Sequence, residues 1–201
     1  MVKRICVFCG SSPGALPEYT KAAQDLGKAL AKNGIGLVYG GARVGMMGAI
    51  ASAVMKADGE VIGVMPKSLV DKEVAYVGIT DLRIVNSMHE RKALMSELSD
   101  GFIALPGGLG TIEEIFEVLT WSQLGIQKKP CGFLNVSQYY DKLIEFIDHA
   151  VGQEFIGPGS RKLIIVDETP EGLLKKFGEY QPPEVDKAAW ALSLANKTLK
   201  S

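Results

Sequence analysis

Seven short apolar runs recur along the chain, at residues 4–8, 36–39, 60–65, 81–85, 102–105, 130–134 and 163–166. Apart from 81–85, none alternates apolar and polar residues, as a strand with one wet face would. Most are separated by segments whose apolar residues repeat at helical spacing, such as Leu26, Ala29 and Leu30 within 17–32, or Ile112, Ile115, Phe116 and Leu119 within 111–124. Strands buried on both faces and joined by helices form a parallel sheet with a helical layer on each side. The expected fold is therefore α/β, with a central parallel sheet of about seven strands and helices on both faces. At 201 residues and 47% hydrophobic content, one domain can bury a sizeable core. No linker divides the chain. Pro182-Pro183 breaks the helix opened by Thr169-Pro170-Glu171, so residues 182–201 read as a C-terminal extension.

In such a sheet, ligands bind outside the carboxyl ends of the strands. Three loops rich in small residues follow strands here: Gly10-Ser11-Ser12-Pro13-Gly14, Gly40-Gly41-Ala42-Arg43-Val44-Gly45, and Pro106-Gly107-Gly108-Leu109-Gly110. All three should line one edge of the molecule. The third is the most informative. A strand ends at Pro106, three glycines follow, and a helix begins at about Thr111 with Glu113 and Glu114 in its first turn. Adjacent glycines allow close approach to the backbone and positive φ, and the free amides of a helix start favour an anion. Neither glycine loop is a standard nucleotide fingerprint. The Gly40 loop lacks the order G-x-G-x-x-G, and the Gly107 loop lacks the lysine of a P-loop.

Two carboxylates and two cations need weighing. Thr111 and Glu114 stand at capping-box spacing, so Glu114 serves either its own helix start or chemistry at the loop. Glu113 faces elsewhere and reads as solvated or supporting. Met88-His89-Glu90-Arg91-Lys92 places two cations at the start of a helix, where the dipole disfavours them. Arg91 and Lys92 either point to solvent or are kept there by an anion. Ser87 and Glu90 have capping-box spacing at that same helix.

Other features argue against whole classes of function. Lys and Arg number 22 against 23 Asp and Glu, which gives no electrostatic case for nucleic acid or an anionic membrane. Lys3 and Arg4 precede a run too short for a signal-peptide core, and no apolar stretch approaches the ~20 residues of a membrane span. The expected location is cytoplasmic. Cys6 and Cys9 spell C-x-x-C, but residues three apart on a strand face opposite ways, so they and Cys131 read as core thiols. Two histidines, His89 and His149, are too few for a metal site, and none is assigned. Trp121 and Leu124 read as packing or subunit contact.

Pro106-Gly107-Gly108-Leu109-Gly110-Thr111-Ile112-Glu113-Glu114 resembles the P-G-G-x-G-T-x-x-E signature of the LOG ("lonely guy") family, and Met88-His89-Glu90-Arg91-Lys92 resembles its second hallmark. Val7-Phe8-Cys9-Gly10-Ser11-Ser12, the Gly40–Gly48 loop and Leu119-Thr120-Trp121-Ser122-Gln123-Leu124-Gly125 are similar as well. The resemblance covers roughly residues 3–180. It implies a Rossmann-like fold, a homodimer, and a phosphoribohydrolase. The substrate class it implies is an N6-substituted adenosine 5′-monophosphate, or AMP, hydrolysed to the free base and ribose 5-phosphate without metal or cofactor. Family members are often labelled lysine decarboxylases, yet nothing in this chain marks a pyridoxal-phosphate lysine. By the same resemblance Arg91 and Glu114 are the catalytic pair. Glu73, Lys92, Gly107, Gly108, Leu109, Gly110, Thr111 and Thr120 match nucleotide-contacting positions. A non-catalytic nucleotide or cofactor carrier of the same fold is the alternative, and the intact Arg91–Glu114 pair argues against it.

Overall fold

In the computed structural model, which describes residues 2–70 and 75–198, the strands are β1 (Arg4–Phe8), β2 (Gly36–Tyr39), β3 (Val61–Pro66), β4 (Asp81–Val85), β5 (Gly101–Ala104), β6 (Cys131–Leu134) and β7 (Ile164–Asp167). They form one sheet in the order β4-β3-β2-β1-β5-β6-β7. Every neighbouring pair is parallel. The helices are α1 (Pro17–Lys32), α2 (Gly45–Lys56), α3 (Lys67–Val70), α4 (Met88–Glu97), α5 (Leu109–Gln123), α6 (Asp141–Gly152), α7 (Pro158–Arg161), α8 (Pro170–Gly178) and α9 (Lys187–Thr198).

The unbroken apolar strands are explained by two cores, one on each face. Ile5 and Val7 point to the side covered by α1, α2 and α8, where they meet Leu26, Ile50 and Leu173. Cys6 and Phe8 point the other way, towards Met95 of α4 and Ile115 and Val118 of α5. Cys9 belongs to the first core and Cys6 to the second, so the C-x-x-C pair is split across the sheet. All three cysteines are free and buried. Burial pushes their thiols up, that of Cys131 to about 12, which leaves them inert at neutral pH.

Most predicted elements coincide with those observed. The apolar stretch of α1 is bounded by Pro17 at its first turn and by Asn33-Gly34 after its last. Two short elements escaped the periodicity, the turn of helix α7 and a 3-10 turn at Val136–Gln138. Four residues supply too little pattern to detect. Among the described residues no helix is long and apolar enough to cross a membrane. Nor does any group of three or more His, Cys, Asp or Glu side chains among them have the arrangement to hold a metal ion.

Candidate active site

β1 and β5 are neighbours, but the chain leaves them in opposite directions. β1 leads to β2 on one side and β5 to β6 on the other, so their following loops part and open a crevice at the strand ends. Its volume is about 390 Å³. All three predicted loops reach it, through Gly10 and Ser11, Gly40, and Gly108 and Gly110. Met88 and Arg91 of α4 and the first turns of α5 complete the wall.

The Gly107 loop differs from expectation in two ways. First, α5 begins at Leu109, not Thr111, and its N-cap is Gly108 with no side chain bonded across the helix start. The first intrahelical bond runs from Ile112 N to Gly108 O at 3.1 Å. The amides of Leu109, Gly110 and Thr111 precede it and have no acceptor within the helix. Second, none of Gly107, Gly108 and Gly110 has positive φ. Gly107 is needed for close packing instead. A Cβ there would overlap the Thr111 side chain and lie 2.9 Å from Gly10 N. At Gly108 and Gly110 a Cβ would meet nothing within 4 Å, so the backbone is open to the crevice. In the Gly40 loop positive φ is required, at Gly41 (84°) and Gly45 (59°).

Arg91 and Glu114 meet across the crevice wall. Ser87 caps α4 by accepting from Glu90 N at 3.1 Å. Glu90 reaches back to Asn86 N, one residue before the position a capping box would use. This sets Arg91 one turn in and facing the sheet. Its Nε donates to Val64 O at 3.0 Å and its Nη1 to Glu114 Oε1 at 2.9 Å. Nη2 lies against Gly40, where a Cβ would come within 2.5 Å of it. The two side chains are 12% and 13% exposed. Burial raises the Glu114 carboxyl above its ordinary value, and the Arg91 charge works in the opposite direction. The capping-box reading of Glu114 is thus overturned. With the helix starting at Leu109, Thr111 is its third residue rather than its cap, and Glu114 is too far along to reach the start.

The other sequence-derived positions are scattered. Thr111 is buried, at 4% exposure, beneath Gly107, and Leu109 stands at the rim with 89% exposure. Lys92 does not line the crevice. Its Nζ pairs with Glu113 Oε1 at 2.7 Å and Glu117 Oε1 at 2.9 Å, which also gives Glu113 its supporting place. Thr120 lies farther along α5 and donates to Phe116 O at 2.7 Å. It faces a separate apolar groove with Phe116, Leu119 and Ile147. Glu73 lies outside the described residues. Sequence reasoning missed Tyr139, whose hydroxyl donates to Gly107 O at 2.6 Å. Its only signal was a tyrosine pair shortly after a strand that ends at the same edge of the sheet.

Three comparisons place this geometry among known proteins. A family model described as "Possible lysine decarboxylase" matches residues 47–177. The cytokinin riboside 5′-monophosphate phosphoribohydrolase LOG of Oryza sativa subsp. japonica is 51% identical over 180 residues, covering 90% of this chain and 74% of that protein. The cytokinin riboside 5′-monophosphate phosphoribohydrolase of Rhodococcoides fascians is 50% identical over 173 residues, covering 86% and 87%. Among solved structures, the molybdenum cofactor binding protein of Rippkaea orientalis superposes with a TM-score of 0.68 at 23% identity, over 89% of this chain and 97% of that one. The molybdenum cofactor carrier protein of Chlamydomonas reinhardtii gives 0.66 at 19%, over 89% and 98%. At such identities those two are likenesses of fold, the Rossmann-like α/β sheet. Half of the aligned residues match the phosphoribohydrolases over most of both chains, and the chain belongs to the LOG family.

Proposed function

We propose that this protein is a phosphoribohydrolase acting on adenosine 5′-monophosphates, N6-substituted or plain. The C1′–N bond breaks with its electron pair leaving on the base. Water supplies a hydroxyl to C1′ and a proton to the base, giving free base and ribose 5-phosphate. The observation that carries this reading is the buried Arg91–Glu114 pair, 2.9 Å apart, in the same crevice as the uncapped start of α5. The relatives' activity supports it.

Each part has a chemical task. The free amides of α5 and the positive end of its dipole hold the 5′-phosphate, and the glycines leave room for it. That anchor places the sugar beside Glu114. N-glycosidic cleavage develops positive charge on the ribose ring, as glycoside hydrolysis does. An ionised Glu114 stabilises that charge and orients water. A guanidinium is a poor proton donor, so Arg91 acts by electrostatic stabilisation of the departing base rather than as a general acid. Its contacts with Val64 O and Gly40 fix it before substrate arrives.

A lysine decarboxylase reading does not fit these residues. Pyridoxal phosphate is held on a lysine, and among the described residues no lysine lines the crevice. Lys92 is turned to Glu113 and Glu117. A carrier has no use for a buried guanidinium–carboxylate pair. We read the protein as cytoplasmic, needing neither metal nor cofactor, binding neither nucleic acid nor membrane, and as one domain with residues 182–201 as an extension. The homodimer we place on the surface around Thr120, where Leu124 and Ile126 are 53% and 68% exposed. The function is tested by incubating the protein with AMP and isopentenyladenosine 5′-monophosphate and identifying the products by mass. Free base with ribose 5-phosphate is expected; nucleoside with inorganic phosphate would mean a phosphatase.

A further inference from the structure

Four successive carbonyls of the Gly107 loop are already bonded. Leu105 O accepts from Tyr140 Oη at 2.6 Å, Pro106 O from Gly10 N at 3.1 Å, Gly107 O from Tyr139 Oη at 2.6 Å, and Gly108 O from Ile112 N at 3.1 Å. With its carbonyls so engaged, the loop has its amides to offer the crevice. The Gly107–Gly108 peptide is trans, and in a trans peptide C=O and N–H point opposite ways. A hydroxyl that fixes Gly107 C=O therefore fixes the Gly108 N–H as well, directed away from Tyr139. Gly108 lines the crevice.

The segment after β6 is shaped to deliver that hydroxyl. Asn135, buried, accepts from Tyr140 N at 2.8 Å and donates to Asp141 Oδ1 at 2.7 Å. Ser137 and Gln138 both adopt left-handed backbone, with φ of 49° and 60°. Residues other than glycine rarely do so, and such strain clusters at functional sites. The Tyr139 ring packs edge-on against Tyr140 and Tyr19, with centroids 5.0 and 5.6 Å apart. Tyr140 is buried, so core packing explains it. Tyr139 is 41% exposed, and burial alone does not account for its placement.

We propose that Tyr139 is a positioning residue for phosphate recognition, its hydroxyl holding the Gly107–Gly108 peptide so that the amides at the start of α5 converge on a phosphate monoester. This rests on the assignment of the glycine loop to the substrate's 5′-phosphate. Tyr139→Phe keeps the ring and removes the hydroxyl. The Kd for ribose 5-phosphate, by calorimetry, and the KM for AMP should rise together by about five- to tenfold, the scale of one lost hydrogen bond. The kcat should stay within about threefold and the thermal midpoint should not move. Unchanged Kd and KM in Tyr139→Phe overturn the proposal, including the case where Tyr139→Ala weakens both, since the ring alone would then matter. Gly110→Asp separates this from the underlying reading. It places a carboxylate in open space at the anion site. If it abolishes ribose 5-phosphate binding while Tyr139→Phe does nothing, only the role of Tyr139 fails. If Gly110→Asp binds as wild type does, or wild type binds no ribose 5-phosphate, the loop assignment fails and the role of Tyr139 falls with it.

Discussion

Replacing Glu114 by Gln keeps the shape of the side chain and removes its charge. A carboxylate about 4 Å from a full positive charge, at an effective dielectric of ~20, contributes about 4 kcal/mol. The ribose ring carries only part of a charge at the transition state, so roughly 3–4 kcal/mol is at stake, or about 10²–10³-fold in kcat. Stability should respond differently. Burial raises the Glu114 carboxyl pKa in the fold. A raised acid binds its proton more tightly folded than unfolded, so its ionisation lowers stability as pH rises from the unfolded value through the folded one. At neutral pH the variant should therefore melt no lower than wild type. The pH profile adds a third readout. Wild-type activity should fall as pH drops through the Glu114 value, which burial raises above its ordinary one, and the variant should lose that limb. Base release followed by chromatography from pH 4 to 8, with thermal melts alongside, measures all three. A kcat within about fivefold of wild type, or an unaltered acid limb, would refute the role given to Glu114.

Arg91→Ala strands Glu114 in a buried site without its cation, so kcat/KM should drop at least ~10²-fold and the acid limb of the surviving activity should move to higher pH, as read in a pH–rate profile. Gly107→Ala forces a methyl into Thr111 and Gly10; about 1–3 kcal/mol of stability should be lost and KM should rise, whereas Gly110→Ala, with open space around it, should melt like wild type. Glu at both Leu124 and Ile126 should convert a dimer to a monomer in light scattering, and a monomeric wild type would refute the interface.

Elements set by local chemistry were legible in the sequence. α1 has its proline start and Asn-Gly stop, and the strands other than β4 announce a two-sided sheet by lacking polar alternation. The edge that gathers the three loops followed from parallel topology alone. What could not be read locally was decided by tertiary contact. Arg91 and Glu114 are 23 residues apart on different helices, and only the folded sheet shows that they pair. The Thr111–Glu114 spacing kept a cap open as one of two readings because capping boxes are local, while the actual start, Gly108, carries no side chain to announce itself. The hold of Tyr139 on Gly107 spans 32 residues and two adjacent strands, beyond any periodicity. Lys92 and Thr120 matched nucleotide-contacting positions by resemblance to the family, and the fold turns one towards Glu113 and Glu117 and sets the other on a separate groove.

The proposed reaction joins a phosphate anchor to a glycosidic cleavage site in one crevice. It is tested most directly by offering the protein isopentenyladenosine 5′-monophosphate, AMP and the two corresponding nucleosides in parallel and quantifying released base by chromatography. The account predicts release from one or both monophosphates, with the nucleosides at least ~10²-fold poorer because they lack the anchoring anion. No base from either monophosphate, or nucleosides cleaved as readily as monophosphates, would contradict it.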